Sequence, residues 1–346
     1  MKALQLLAHG TPGRWAVQDI AQPLPAPDEV SIRVRACGLN HLDLWLEEGG
    51  LPIKISLPRI PGSEVSGEIV ELGSETKEWK RGDRVAVQSN LFCGKCEFCL
   101  RGEESLCLHG ALLGVDRDGG LAENVVAPVR SLVGLPEEVD FATAAGLALA
   151  GSTAVHMLTD RVKLQPGQWV LVIGGASGVG SAAIQIAKLL GGHVISTGST
   201  PAKRELAMRL GADFACDTSS ADWAAEVRRF TGKRGVDVVV EHVGGTVLEQ
   251  TFQCLARGGT VVTCGATAGR EVRLQLWPFF VKQFQLVGSY GRTRANLEQT
   301  LKWAAAGKLR PIIDRTIGLP AVVSALADLR DRRVLGKIIV QPEANR

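Results

Sequence analysis

The apolar positions of the chain follow two different periods, and the change between them divides it. From residue 1 to about 130 they alternate with polar positions, as half-exposed strands do. Residues 30–36 (VSIRVRA) carry the pattern most clearly, and 66–72 (SGEIVEL) and 83–87 (DRVAV) repeat it. Pro23, Pro25, Pro27, Pro58, Pro61 and Gly82 punctuate the intervals. This pattern predicts a small, partly open β-barrel with irregular loops. The alanine- and leucine-rich stretch 139–158 follows, interrupted by Asp140 and His156. It predicts a buried helix rather than a membrane span.

Beyond it, continuous apolar runs alternate with helical spacing. Residues 170–173 (VLVI) follow the turn signal QPG at 165–167 and predict a strand buried on both faces of a parallel sheet. Ala183, Ile186, Ala187 and Leu190 fall on one face of a helix over 181–190. Gly191 and Gly192 stop it, and 193–197 (HVIST) supplies a second strand. The alternation continues with strands at 213–215, 235–240, 260–264 and 285–289. Helices are predicted over 220–231, with Trp223, Val227 and Phe230 inward, and over 248–255. Six strands with crossovers predict a doubly wound α/β sheet, with its ligand at the carboxyl ends of the strands. Loops at that end begin at Gly174, Val243, Gly265 and Tyr290. Helices around 297–306 and 320–330 and a strand at 336–340 close the chain.

Between the first strand and the first helix of this sheet lies GGASGVG, residues 174–180. A glycine turn that opens a helix offers backbone N–H groups and the positive end of the helix dipole to a pyrophosphate. The dinucleotide fingerprint G-x-G-x-x-G is matched at Gly175 and Gly180, while Ser177 stands at its middle glycine with Gly178 beside it. Gly175, Ala176, Ser177, Gly178, Val179 and Gly180 are therefore the expected cradle. An NAD site places a carboxylate near the end of the second strand for the ribose hydroxyls. Residues 197–200 (TGST) carry none, and Lys203 and Arg204 follow. Ser199 and Lys203 are expected at a 2′-phosphate, which favours NADPH over NADH.

A chain of 346 residues, 45% hydrophobic and 22% charged, is long enough for two domains with their own cores. A net charge of +3 gives no case for nucleic acid, and no membrane is expected as a partner. No secretory leader is visible at the start of the sequence, so a cytoplasmic location is expected. Four of the eight cysteines, Cys93, Cys96, Cys99 and Cys107, are clustered. Four thiolates at this spacing predict one closed, tetrahedral, structural zinc site. Cys37, Cys216, Cys254 and Cys264 are scattered and read as small apolar residues.

In these motifs the chain resembles the medium-chain dehydrogenase/reductase superfamily, which includes zinc alcohol dehydrogenases and quinone oxidoreductases. Residues 61–67 (PGSEVSG) resemble its Gly-His-Glu-x-x-Gly signature, and 93–107 its structural zinc lobe. Residues 175–180 occupy its cofactor turn, and 288–294 (GSYGRTR) and 334–340 (VLGKIIV) resemble its carboxyl-terminal segment. The resemblance implies a GroES-like catalytic domain from 1–130 and 292–346 and a Rossmann domain at 131–291. It also implies a homodimer or homotetramer.

The resemblance fails at the catalytic metal. Zinc alcohol dehydrogenases hold that metal with Cys, then His, then Cys or an acid. The corresponding positions here are Asn40, Ser63 and Leu149, none of which binds zinc at neutral pH. Asn40 with Asp43 following resembles the zinc-free quinone and enone reductase branch. Asn40, Ser63, Asp43 and Trp45 are the expected catalytic residues. Asn40 and Ser63 are expected to bond a substrate carbonyl, or else to fill the vacated metal site, and Trp45 to wall the pocket. The resemblance places His41 near the pyrophosphate and Thr153 at the nicotinamide. It places Tyr290 (the only tyrosine), Arg294, Lys337, Val243 and Gly265 around the cofactor. Trp277, Pro278, Phe279 and Phe280 are expected in the substrate cleft or at a dimer edge. The function expected is NADPH-dependent hydride transfer to a quinone or α,β-unsaturated carbonyl, with no catalytic zinc. An alcohol dehydrogenase with an atypical catalytic metal and an NADPH-binding protein with little turnover are the alternatives.

Overall fold

The strand Trp169–Val172 has a parallel partner on each side, His193–Thr197 and Val236–Glu241, and only its first residue is less than buried. This is the environment that a continuous apolar run requires. The whole sheet runs Phe214–Cys216, His193–Thr197, Trp169–Val172, Val236–Glu241, Leu255–Thr263, Gln285–Gly288, with every pair parallel. It is the expected six-stranded doubly wound sheet. Chain order reverses between Trp169–Val172 and Val236–Glu241, which makes that gap the ligand crevice of such a sheet. The helix Trp223–Phe230 buries Trp223 and Val227 as expected, but Phe230 is 42% exposed. As the helix's last residue it lies flat on Phe214, ring centroids 4.6 Å apart, and meets Trp169 edge-on.

The computed structural model describes residues 1–343, which form two compact units. The sheet above belongs to Thr153–Gly291. The other unit joins Met1–Ser152 to the chain from Arg292 onward. Its main sheet is ordered Ile313–Ile317, Lys337–Val340, Glu29–Gly38, Glu64–Leu72, Arg84–Val87, Leu132–Gly134, and Asn124–Pro128 also pairs with Glu29–Gly38. The strand expected to be half exposed, Glu29–Gly38, is buried nearly throughout, with Arg33 its one exposed residue. The helix Phe141–Leu147 packs across this strand, Glu64–Leu72 and Lys337–Val340. That packing also moves the first boundary. Residues 131–152 stay with the first unit, where a sequence boundary at 130 assigned them to the second.

The single helix expected over 139–158 is broken. Phe141–Leu147 is followed by Ala150–Val155 and a wider π-helical turn, His156–Arg161. No single helix among the described residues is long and apolar enough to cross a membrane.

Candidate active site and metal centre

The glycine turn is built as its sequence requires. Ser177 caps the helix Gly178–Leu189, its Oγ accepting the Gly180 N–H at 3.0 Å. Gly174 adopts φ +62°, a conformation open to glycine, and its N–H donates to Thr197 Oγ1 at 2.9 Å. A Cβ on Gly180 would lie 2.2 Å from Gly174 O, and one on Gly175 would lie 2.1 Å from Ser196 Oγ, so both positions exclude any side chain. Ala176 is buried, while Ser177, Gly178 and Val179 are partly exposed. The first N–H groups of a helix have no intrahelical acceptor. With Gly180 satisfied by the cap, Gly178 and Val179 present theirs at the positive end of the helix. This donor set fits a pyrophosphate.

Ser177 has a second partner that sequence reasoning did not identify. His242 follows the strand Val236–Glu241 across the crevice, and its Nε2 lies 3.0 Å from Ser177 Oγ. The backbone there is tightly set. Glu241 Oε1 accepts the N–H groups of Val243 and Gly244 at 2.6 and 2.7 Å, and Oε2 accepts the Thr263 hydroxyl. A Cβ on Gly265 would lie 2.3 Å from His242 O. Only the EHVGG run after a strand could have signalled this loop. Tyr290 is 61% exposed.

At the end of His193–Thr197, Ser199 is exposed and Lys203 half-buried at the start of the helix Pro201–Arg209. Arg204 donates to Gly198 O at 3.0 Å and pairs with Asp217 at 2.8 Å.

In the other unit two of the three positions matched to catalytic zinc ligands, Asn40 and Leu149, bond a buried ion pair. Glu64 is fully buried. Its Oε1 accepts the N–H groups of Leu149 and Ala150 at 2.7 and 2.9 Å. Its Oε2 accepts Asn40 Nδ2 at 3.1 Å and lies 2.7 Å from Lys337 Nζ. The capture of two N–H groups by Glu64 explains the helix break before Ala150. Lys337 is 4% exposed, and its ammonium also donates to Leu39 O at 2.5 Å and Asn40 Oδ1 at 2.7 Å. Lys337 is expected at the cofactor from its carboxyl-terminal motif. The structure commits its charge to this knot instead.

Asn40 is likewise used up. Its amide donates to Gly38 O at 3.1 Å as well as to Glu64, so both of its N–H donors are taken. Ser63 is buried and donates its only proton to Leu113 O at 2.6 Å. Neither has the donor for a substrate carbonyl that was expected of it. They fill the site, but each bonds other groups rather than the other. Asp43 is buried and accepts the Asn40 N–H at 2.8 Å, capping the helix His41–Glu48. Burial raises its carboxyl from 3.8 to about 6. Burial, reinforced by Lys337 and Arg332, lowers His41 from 6.5 to about 4, so its imidazole is neutral at pH 7. Trp45 is half-buried on the same helix, and Thr153 is buried. Arg294 is held by Leu132 O at 2.9 Å and Glu298 at 3.1 Å, which ties it to its own unit rather than to a cofactor. As donors for a catalytic zinc, Asn40, Ser63 and Leu149 do not fit: they bring no thiolate, imidazole or carboxylate.

The four clustered cysteines do fit a metal. Their sulfurs all lie within 4.8 Å of one another, and among the described residues they are the one such group of three or more ligand side chains. Cys96 and Cys99 sulfurs are 3.5 Å apart, and Cys93–Cys99 and Cys96–Cys107 are 3.9 Å apart. A tetrahedron with zinc–sulfur bonds of 2.3 Å has edges of about 3.8 Å. Backbone N–H groups of Lys95 and Cys96 point at Cys93 Sγ, and that of Cys93 points at Cys107 Sγ. Gly94, at φ +74°, turns the chain inside the cluster. A metal held by four thiolates has no open position for substrate, so these residues would supply structure and not chemistry.

Comparison with known proteins identifies the family. Residues 26–137 match a family model described as alcohol dehydrogenase GroES-like domain, and 178–306 one described as zinc-binding dehydrogenase. An alcohol dehydrogenase of Geobacillus stearothermophilus is 32% identical over 328 residues, 94% of this chain and 95% of that one. A NAD-dependent alcohol dehydrogenase of Saccharolobus solfataricus is 30% identical over 351 residues, 99% of this chain and 100% of that one. The crystal structure of a NAD-dependent alcohol dehydrogenase is similar with a TM-score of 0.94 at 38% identity, covering 99% of each chain.

Proposed function

The chain belongs to the medium-chain dehydrogenase/reductase superfamily as an NAD(P)-dependent oxidoreductase of the alcohol dehydrogenase type, and from that premise we propose that it reduces quinones or α,β-unsaturated carbonyls with NADPH and without a catalytic zinc. One observation carries the reading. Where a metal would be gripped, Lys337, Glu64 and Asn40 satisfy one another. The four acceptor positions of Glu64 take four donors, so it is not available as a substitute ligand. A site without a Lewis acid suits an acceptor that is already electrophilic.

The nicotinamide, when bound, supplies the hydride. The chain's own residues bind and orient. Gly178 and Val179 N–H groups receive the pyrophosphate at the helix end. Ser199 and Lys203 meet the 2′-phosphate, and Arg204 can join them by leaving Asp217, because that partly exposed pair is weak. The absence of a carboxylate over 197–200 supports NADPH. With the donors of Asn40 and Ser63 taken, the proton that follows the hydride comes from water. Cys93, Cys96, Cys99 and Cys107 hold one structural zinc, and a reducing cytosol suits their thiols. Exposed Leu276, Trp277 and Phe280 support a homodimer or homotetramer.

The relatives' names favour a second reading, NAD-dependent alcohol oxidation. Elemental analysis of metal-replete protein separates the two. One zinc per chain, with enones or quinones oxidising NADPH and alcohols inert, is expected. Two zincs with zinc-dependent alcohol oxidation would overturn the proposal. Tight NADPH binding with no turnover on any acceptor would instead make this a binding protein.

A further inference from the structure

We propose that His242 is a positioning residue for the dinucleotide, acting through the hydroxyl of Ser177. The inference rests on the dinucleotide-binding reading of the glycine turn. Three observations meet at one point. Ser177 caps the helix that receives the pyrophosphate, and its Oγ already accepts the Gly180 N–H. His242 Nε2 stands 3.0 Å from the same oxygen. The two residues follow Trp169–Val172 and Val236–Glu241, the strands between which chain order reverses.

The bond between them has two directions. With Nε2 unprotonated, Ser177 donates its only proton to the ring and has none for a ligand. With a proton on Nε2, the imidazole donates, Ser177 Oγ accepts twice, and the hydroxyl hydrogen is released toward the anion at the helix end. A bound phosphate favours the second arrangement, because it gains a donor. His242 thus orients the hydroxyl of the cap residue: as a donor to Ser177 Oγ it holds the hydroxyl hydrogen toward the anion. The loop holding it is fixed by Glu241, whose carboxylate accepts from Val243, Gly244 and Thr263. Glu241 is also the charged group adjoining His242 on its own strand end. The ring therefore reaches Ser177 from a braced backbone.

The test is titration of NADPH and NADH into the full chain, followed by nicotinamide fluorescence, for wild type, His242→Phe, His242→Gln, Ser177→Ala and Ser177→Ala with His242→Phe. Without the ring donor the Ser177 hydroxyl is no longer held with its hydrogen toward the anion, and this loss of orientation predicts a rise in Kd of about twofold to fivefold in His242→Phe, with a matching rise in the KM for the dinucleotide. His242→Gln keeps a donor of similar reach and recovers most of the loss. In the Ser177→Ala background, His242→Phe adds nothing further, which a merely structural role would not produce. Equal affinity in His242→Phe and wild type, or an undiminished effect in the Ser177→Ala background, overturns the proposal. Should His242→Phe not fold, His242→Ala carries the same expectation. Wild type that binds neither dinucleotide overturns the underlying reading, and this inference with it.

Discussion

Asp43 and His41 begin the same helix and are pushed in opposite directions by burial. The Asp43 carboxyl rises from 3.8 to about 6, and the His41 imidazole falls from 6.5 to about 4. Between about pH 4 and 6 the folded chain holds a proton on Asp43 that the unfolded chain has lost, so this group lowers stability as pH rises. Between about pH 4 and 6.5 the unfolded chain holds a proton on His41 that the folded chain lacks, so this group raises stability as pH rises. The two slopes oppose each other, and the wild type should show little net dependence from this helix. His41→Asn should lose stability relative to wild type as pH rises from 4 to 6.5, on the order of 2–3 kcal/mol over the window. Asp43→Asn should gain by a similar amount. Urea unfolding of the three proteins at pH 4, 5, 6 and 7 checks this, and three parallel curves would sink it. Asn40, Asp43 and Ser63 stand out in the sequence because they lie in local motifs, but the donors expected of Asn40 and Ser63 are spent on Gly38, Glu64 and Leu113. Lys337 was misplaced for the opposite reason: its partners Glu64 and Asn40 come from far along the chain, and nothing near Lys337 encodes them.

Elements were legible where their cause is local. A continuous apolar run such as 170–173 can only be buried on both faces, and the GGASGVG turn carries its own cap and glycines. The helix over 139–158 was misread because its break is made by the distant Glu64 carboxylate, which takes the Leu149 and Ala150 N–H groups. The cysteine lobe is a third kind of element, legible from spacing yet without a core. Its short helix Glu97–Leu100 and 3₁₀ turn Glu104–Leu106 contain no buried residue. Apolar burial does not hold such a segment, and a metal on the four thiolates would supply its order. Chelation of the purified protein should speed amide exchange over 93–112 at least tenfold, while exchange in the strands of 169–241 stays slow. Hydrogen exchange with mass readout measures both regions at once. Protection of 93–112 that survives complete zinc removal would mean that the lobe stands without metal.

At the scale of the molecule, the open question is what covers the edge of the parallel sheet. Gln285–Gly288 is the last strand in the order and has a partner on one side only among the described residues. Leu286 on it is 41% exposed. The helix before it, Leu276–Val281, has no buried residue, with Leu276 67%, Trp277 73% and Phe280 56% exposed. Natural sheets block such edges with charge, proline or a bulge, and QLVG offers none of these. Contiguous apolar side chains beside an open edge mark an interaction surface, and a second copy of the chain is the partner that symmetry supplies without another gene product. From the sequence alone, residues 277–280 fit a substrate cleft or a dimer edge. The exposure of Trp277 and Phe280 together with the open strand supports the dimer edge for those two, while Phe279 packs half-buried on the core of its own unit. Light scattering on wild type at micromolar concentration should therefore give twice or four times the 36.8 kDa chain mass. Trp277→Glu with Phe280→Glu places two charges in that surface and should at least halve the observed mass, with zinc content unchanged. A wild type that is monomeric throughout would refute the assignment. A variant that stays fully assembled would move the interface elsewhere and return Trp277 and Phe280 to the substrate.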